Sequence, residues 1–214
     1  LNQVFDEARS KGILVLTVNG DITGNESHRD ATILPTDFTK VGHDQVEMVG
    51  SLIGYEGEIA ILSATTEAPD QNFWIEGMNE TLKSDPKYAK MTLVATVYGD
   101  DQDEKSTTEM EALLSNYPNL RGVIAPTTVG VAAAAQVVQS RGIADQVKVT
   151  GLGLPSEMRD FVKDGTVTAF QLWSPYNEGW LAAHFAVAVK AGQVEIKPGA
   201  TFDVPNLGTI TIND

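Results

Sequence analysis

Four consecutive apolar residues, Ile59-Ala60-Ile61-Leu62, followed by a small polar loop and then a helical pattern, constrain this chain more than any other stretch. A strand that is apolar on both parities has to be buried on both faces, which is the condition of a parallel sheet covered by helices on each side. The strand ends in Ser63-Ala64-Thr65-Thr66, and Pro69-Asp70-Gln71-Asn72 then opens a helix with apolar Trp74, Ile75 and Met78. The same order of strand, polar loop and helix returns at Leu93–Leu114 and at Val123–Val138. Such alternation predicts an α/β fold with doubly wound parallel sheets. In sheets of that kind ligands bind in the crevice beyond the carboxyl ends of the strands. The polar loops of this chain are therefore where a small polar molecule is expected.

The alternation extends in both directions. Val4, Phe5 and Ala8 have helical spacing over Leu1–Lys11, and Lys11-Gly12 closes that helix. Ile13–Val18 reads as a buried strand, residues 20–29 as a loop, and Ala31–Leu34 as a short extended piece stopped by Pro35. A helix over Phe38–Ile53 turns Phe38, Val41, Val46, Val49 and Ile53 inward, with Thr36 or Asp37 as its cap. Later strands are expected at Met91–Tyr98, Arg121–Ala125, Val147–Gly151 and Val167–Trp173. Between and after them come helices at Glu104–Tyr117, Val129–Ser140, Leu154–Val162 (capped by Ser156 or Gly153) and Pro175–Ala191. Thr201–Val204 and Thr209–Ile212 read as a terminal hairpin.

A length of 214 residues allows a sizeable core in one or two domains. The net charge of -14 argues against nucleic acid or an anionic membrane as partner. With no cysteine, the chain has no disulfide, thiolate metal site or cysteine nucleophile to offer. No apolar run approaches the roughly 20 residues of a membrane span. The chain opens on Leu1 with no signal peptide, which reads as a processed, trimmed or partial sequence.

The catalytic inventory is thin. His28 falls in a polar loop, His43 on the solvent face of a helix and His184 within a helix, so none is placed at a strand's carboxyl end as a base. A nucleophile elbow and a P-loop are absent, and Gly151-Leu152-Gly153 lacks the third glycine of a dinucleotide fingerprint. The run Asp100-Asp101-Asp103-Glu104 is either a set of helix-capping carboxylates or a cation site, the first being the plainer reading. What remains at the strand ends is amides, hydroxyls, one or two carboxylates and two tryptophans. That set suits a neutral polyol, whose hydroxyls pair with carboxylates and amides and whose apolar face stacks on an aromatic ring. No enzyme activity, cofactor or metal is expected. Asp70, Gln71, Trp74, Asp101, Thr128 and Trp173 are the candidate ligand residues, with Asn19 at an earlier strand end. Each has a plainer structural reading: Asp70 as a helix cap, Trp74 as core, Asn19 as a turn residue, Thr127 and Thr128 as an N-cap pair, and Trp173 as core or cleft wall.

The strings SATTEAPDQNFWIEGM (Ser63–Met78), ATVYGDD (Ala95–Asp101) with Lys105-Ser106, VIAPTTVGVAAAAQ (Val123–Gln136) and VTGLGLPSEMRDFVKDGTV (Val149–Val167) resemble rhamnose-binding and autoinducer-2-binding proteins of bacterial ABC importers. These are type I periplasmic binding proteins with the ribose-binding fold. The likeness runs over nearly the whole chain. It implies two similar α/β lobes joined by three crossovers, with ligand clamped in the interlobe cleft. By resemblance, Asp70 and Gln71 match the family's ligand-binding pair, and Pro126 and Thr128 match loop positions that meet ligand. Trp173 matches a crossover position facing the cleft, Asp101 a cleft-edge position, and Asn19 a position where the family usually carries a ligand-binding Asp.

The resemblance also implies an incomplete amino-terminal lobe, because family members begin with two further βα units and end with another strand segment. On this mapping residues 1–33 and 175–200 are the remnant of that lobe, 34–174 the carboxy-terminal lobe, and 201–214 a terminal strand or hairpin. The implied function is that of the solute-binding component of an ABC sugar importer, taking rhamnose or a related small sugar. The alternatives are an autoinducer-2 receptor and the effector-binding domain of a LacI-type repressor. The implied partners are the sugar and the membrane permease, with no nucleic acid, and the implied location is periplasmic or on the cell surface as an exported lipoprotein. The incomplete lobe is expected to expose Val4, Phe5, Leu181, Phe185 and Val189, and to be covered by the missing segment or by a second copy in a homodimer.

Overall fold

The structure is a computed structural model that describes residues 1–21, 24 and 26–213. It divides into two compact units, one formed by Phe38–Leu172 and the other by Leu1–Asp37 with Trp173–Asp214. The loop expected over 20–29 lies partly outside the described residues.

The chain starts with helix α1 (Asn2–Ser10), strand β1 (Leu16–Val18), a 3₁₀ turn at Glu26–His28 and strand β2 (Ala31–Ile33). β1 and β2 pair in parallel, Leu16 opposite Ala31 and Val18 opposite Ile33. The strand is shorter than the sequence suggests. The Val15 N–H donates to the Asp30 carboxylate at 2.8 Å, so pairing begins only at Leu16. Val15 is buried, whereas Ile13 and Val18 are 55% and 45% exposed. A two-stranded sheet does not cover side chains on both parities, so the expectation of a fully buried strand fails here.

The unit Phe38–Leu172 holds the sheet anticipated from Ile59–Leu62. Helix α2 (Phe38–Ile53) leads into β3 (Gly57–Ser63), α3 (Pro69–Ser84), β4 (Met91–Tyr98), α4 (Asp103–Asn116), β5 (Leu120–Ala125), α5 (Thr128–Arg141), β6 (Lys148–Gly151) and α6 (Pro155–Lys163). The strands lie in the order β4-β3-β5-β6, all parallel. Period-two alternation then sorts the side chains. A side chain at Gly122 would meet Val49 and Ile53 of α2, while its neighbour Val123 joins Met110 and Leu113 of α4 and Val131 and Ala135 of α5 in one core cluster. Ile59, Ala60, Ile61 and Leu62 are all fully buried, as a strand covered on both faces requires. Each such aliphatic side chain contributes on the order of 1.5–3 kcal/mol when removed from water. The alanines of α5 are small enough to bring that helix close to the sheet, and Ala133, Ala134 and Ala135 are buried.

Two local expectations change. α6 starts at Pro155 with Leu154 as N-cap and no side-chain cap, so neither Ser156 nor Gly153 has that role. Val167–Trp173 is not a strand but meets the sheet at one bridge, Leu152 with Gln171. There the Gln171 N–H donates to the Gly151 carbonyl at 2.8 Å and the Gly153 N–H to the Gln171 carbonyl at 3.0 Å. Upstream, the Ala169 carbonyl accepts instead from the Thr150 hydroxyl at 2.9 Å, which takes it out of a ladder.

The chain finishes with α7 (Pro175–Lys190) and a hairpin of β7 (Thr201–Val204) and β8 (Gly208–Thr211). Ser174 caps α7 by accepting from the Asn177 N–H. Phe185, expected at an uncovered face, is 5% exposed and packs on Phe202 of the hairpin with ring centroids 5.4 Å apart. Leu181 and Val189 are partly buried in the same cluster with Ile33, Ala188 and Val194. The hairpin thus covers Phe185, whereas Val4, also expected at the uncovered face, is 64% exposed. Among the described residues no helix is long and apolar enough to cross a membrane.

Candidate ligand-binding site

The strand order creates the site. β3 is followed by α3 and β4 on one side, and β5 by α5 and β6 on the other, so the connections diverge between β3 and β5. A crevice at such a switch point, beyond the carboxyl ends of the strands, is where open α/β sheets hold ligands. The loops that flank it are 64–68, which feeds α3, and Pro126-Thr127, which feeds α5.

Asp70 and Gln71 stand in the first turn of α3. Proline at the helix start supplies a φ already suited to the helix. The N-cap is Ala68, with no side-chain cap, so Asp70 is not the cap that one reading of the sequence made it. Its carboxylate sits half-buried where the positive end of the helix favours negative charge. The loop before it is closed by Asn72, whose side-chain amide donates to the Thr66 carbonyl at 2.8 Å. Gln71 is half-buried, and its carboxamide oxygen is shielded from solvent with no hydrogen-bond partner. An acceptor buried in that way costs roughly 1–3 kcal/mol unless something donates to it.

The floor is made of small residues. Ser63, expected in the loop, is the last residue of β3, 1% exposed, and its hydroxyl also lacks a partner. The Gly99 N–H donates to the Ser63 carbonyl at 2.9 Å and the Asp100 N–H to the Ala64 carbonyl at 2.7 Å. Across the crevice, Gly151 has φ +145, and a Cβ there would fall on the Ala125 backbone, so only glycine fits. Pro126 is buried behind this rim and Thr128 is half-buried at the start of α5.

Trp74 does not serve as the aromatic wall that the sequence suggested. It is 3% exposed and meets Phe38 nearly edge-on, centroids 5.2 Å apart at 80°, so its ring lies inside the α2–α3 contact. The neighbouring Phe73, on the first turns of the same helix, is 48% exposed, and Tyr98 ends β4 half-buried. Neither was singled out in the sequence, because helical periodicity ranks the inward aromatic above the outward one.

The acidic run resolves into separate partners. Asp100 pairs with Lys105 at 2.5 Å, and Asp101 accepts from the Thr127 hydroxyl. Asp103 and Glu104 lie in the first turn of α4, whose N-cap Gln102 makes no side-chain bond. Thr127 is the N-cap residue of α5 yet makes no side-chain capping bond; its hydroxyl donates to the Asp101 carboxylate. Among the described residues no three His, Cys, Asp or Glu side chains converge as a metal site. A cavity of about 640 Å³ lies at the amino ends of β5 and β6, by Asn119, Arg121, Arg141 and Gln146, the end of the strands opposite these loops.

Asn19 and Trp173 belong to the other unit. Asn19 follows β1, is exposed and has φ 72, a left-handed conformation that asparagine tolerates. Its N–H donates to the Ile33 carbonyl at 3.0 Å. Trp173 is half-buried just before the cap of α7. Glu178, in the first turn of α7, is 7% exposed, and burial raises its pKa, an effect the Asn19 backbone N–H opposes.

Residues 1–193 match the model of a periplasmic binding protein domain. Among solved structures, a sugar ABC transporter protein from Actinomyces odontolyticus is 40% identical with a TM-score of 0.88, over 99% of this chain and 67% of that one. An ABC transporter solute-binding protein from Clostridium phytofermentas, solved with L-rhamnose, is 34% identical with a TM-score of 0.87, over 100% of this chain and 68% of that one. LsrB from Clostridium saccharobutylicum, solved with AI-2, has a TM-score of 0.85 at 22% identity, over 99% of this chain and 67% of its own, which is a likeness of fold. The chain thus spans about two thirds of the length of these relatives.

Proposed function

This chain belongs to the periplasmic binding protein domain family, among the sugar ABC transporter solute-binding proteins, and from that premise we propose that it binds a small neutral sugar, L-rhamnose first, at the carboxyl end of β3 and β5. The observation that carries the reading is the buried, partnerless carboxamide oxygen of Gln71, next to Asp70 and beside the switch point. Sugar hydroxyls satisfy such groups: one donates to Gln71 while a vicinal pair donates to the Asp70 carboxylate. The cation on this rim, Lys105, is already neutralised by Asp100, which disfavours an anionic ligand. Pro126 and Thr128 are proposed as further contacts, Thr128 through its hydroxyl. Asp101 acts at the rim, and Asn19 and Trp173 are proposed contacts on the strength of the resemblance.

The relatives at 40% and 34% identity are importer components, so the membrane permease of an ABC importer is the proposed partner and the outer side of the cytoplasmic membrane the proposed location, whether periplasmic or lipid-anchored. Calorimetric titration with L-rhamnose, ribose and autoinducer-2 tests the reading. Saturable binding of rhamnose, weakened by Gln71→Ala, is the expected result. Binding confined to an amino acid or an anion, or rhamnose binding indifferent to both Asp70 and Gln71, would overturn it.

A further inference from the structure

A side-chain hydrogen bond from Thr127 to Asp101 crosses the crevice. β4 and β5 lie on either side of β3, so the bond from the Thr127 hydroxyl to the Asp101 carboxylate passes over the end of β3 and joins the loop after β4 to the loop after β5. It is the last link of a series. The Ala64 carbonyl accepts from the Asp100 N–H, Asp101 follows, and Thr127 reaches it from the far side. All three loops of the candidate site are thereby connected.

The connection is costly to build. Asp100 and Asp101 are consecutive residues at φ 52 and 54, a left-handed conformation that non-glycine residues adopt as single exceptions. Such backbone persists where surrounding contacts over-determine it, and it gathers at ligand clamps. Here the Gln102 N–H returns to the Gly99 carbonyl at 2.9 Å, and Gly99 has no room for a side chain, since a Cβ would lie 2.9 Å from the Ser106 Cα. Thr127 is 5% exposed and forgoes the capping bond its position invites. The tight turn therefore aims Asp101 away from its own helix and toward the next loop.

We propose that Thr127 and Asp101 form a tie that holds the sugar-contacting loops in binding geometry, with Thr127 acting as a positioning residue that does not itself touch the ligand. The proposal rests on the sugar-binding reading above for its ligand and on the loop geometry for its existence. A tie of this kind removes the ordering cost that loose loops would bring to binding.

The test compares Thr127→Val, which keeps shape and loses the hydroxyl, with Thr127→Ser, which keeps the hydroxyl, by L-rhamnose calorimetry and amide hydrogen exchange. Val should weaken binding by about tenfold and speed exchange at residues 64–68 and 99–102 together, whereas Ser should stay within about threefold. Asp101→Gly is the second variant, because glycine relieves the positive φ. It should lose affinity while its melting temperature holds or rises, a divergence that a purely structural role would not produce. The Thr127→Val, Asp101→Gly double variant should bind no more weakly than Asp101→Gly alone. Wild-type affinity in Thr127→Val, or exchange altered only next to residue 127, would overturn the tie. If the wild-type chain binds none of the sugars, the ligand assignment falls, and the exchange result alone decides the tie.

Discussion

A methyl group on Gly42 would lie 2.6 Å from the Trp74 carbonyl oxygen and 2.7 Å from the Gly77 carbonyl carbon, so α2 and α3 meet backbone to backbone at Gly42 and Gly77. That approach seats Trp74 against Phe38 and sets the direction from which α3 presents Asp70 and Gln71. Gly42→Ala forces the two helices apart and is expected to cost about 1–3 kcal/mol, the usual range for overpacking. Urea denaturation reads the loss, and rhamnose affinity should fall with it. Unchanged stability would show that the contact yields easily.

Gly151 carries a harsher constraint at the floor of the crevice. Its φ of +145 and the Ala125 backbone against it leave no space for a side chain. Gly151→Ala is expected to destabilise by about 2–4 kcal/mol, strain and overlap together. Loss of soluble expression or a large drop in melting temperature checks this.

Asp70→Ala removes the carboxylate without removing a helix cap, since Ala68 occupies that position. Binding of rhamnose should weaken by about 1.5–3 kcal/mol, the range for a hydrogen bond to a charged group, with stability changed by less than about 1 kcal/mol. A cap role would have produced the reverse pattern, a stability loss at constant affinity.

Glu47 gives the unit Phe38–Leu172 a sign-definite acid response. The Lys87 ammonium, with the Tyr88 and Tyr55 hydroxyls, holds the Glu47 carboxyl at about 2, below its ordinary 4.5. These bonds run 2.7, 2.6 and 2.8 Å. A depressed carboxyl contributes stability that is complete above the unfolded value and is lost as pH falls through the folded one. Because the pair is partly solvated, Glu47→Gln should cost only about 1 kcal/mol at pH 7, with the difference from wild type shrinking between pH 4.5 and 2. Equal stability of the two proteins at pH 7 would contradict it.

Glu178 predicts the opposite sign in the other unit. Burial raises its pKa, so ionising it above the unfolded value costs stability. Glu178→Gln should therefore be more stable than wild type at pH 7.5 and lose that advantage below about pH 4.5, as melting temperatures across that range would show. The basic side chains on α7 are His184 and Lys190, and the group that faces the carboxyl from the segment just after β1 is the Asn19 N–H.

How much of this was legible in the chain depends on the range of the interaction. The run Ile59–Leu62 reads as a strand covered on both sides, and the strand–loop–helix rhythm around it points to a parallel doubly wound sheet. The same locality placed Asp70, Gln71 and Thr128 at the helix starts that follow the strands. It could not decide between Trp74 and Phe73, because which aromatic is covered depends on where α2 crosses α3, at Gly42 and Gly77. Nor could it show that Val167–Trp173 reaches the sheet at one bridge, or that Phe202 covers Phe185. The tie from Thr127 to Asp101 spans 26 residues and links two side chains that each look like ordinary helix-start polar groups. Their partnership exists only because the strand order brings the loops after β4 and β5 to either side of β3. Sequence by itself determined that the strand Ile59–Leu62 of the large sheet is buried and where polar groups collect; tertiary structure decided which of those groups meet and how far the short β1–β2 pair is covered, because hydrogen bonds are directional and depend on strand order, while burial of a strand needs neighbours on both faces.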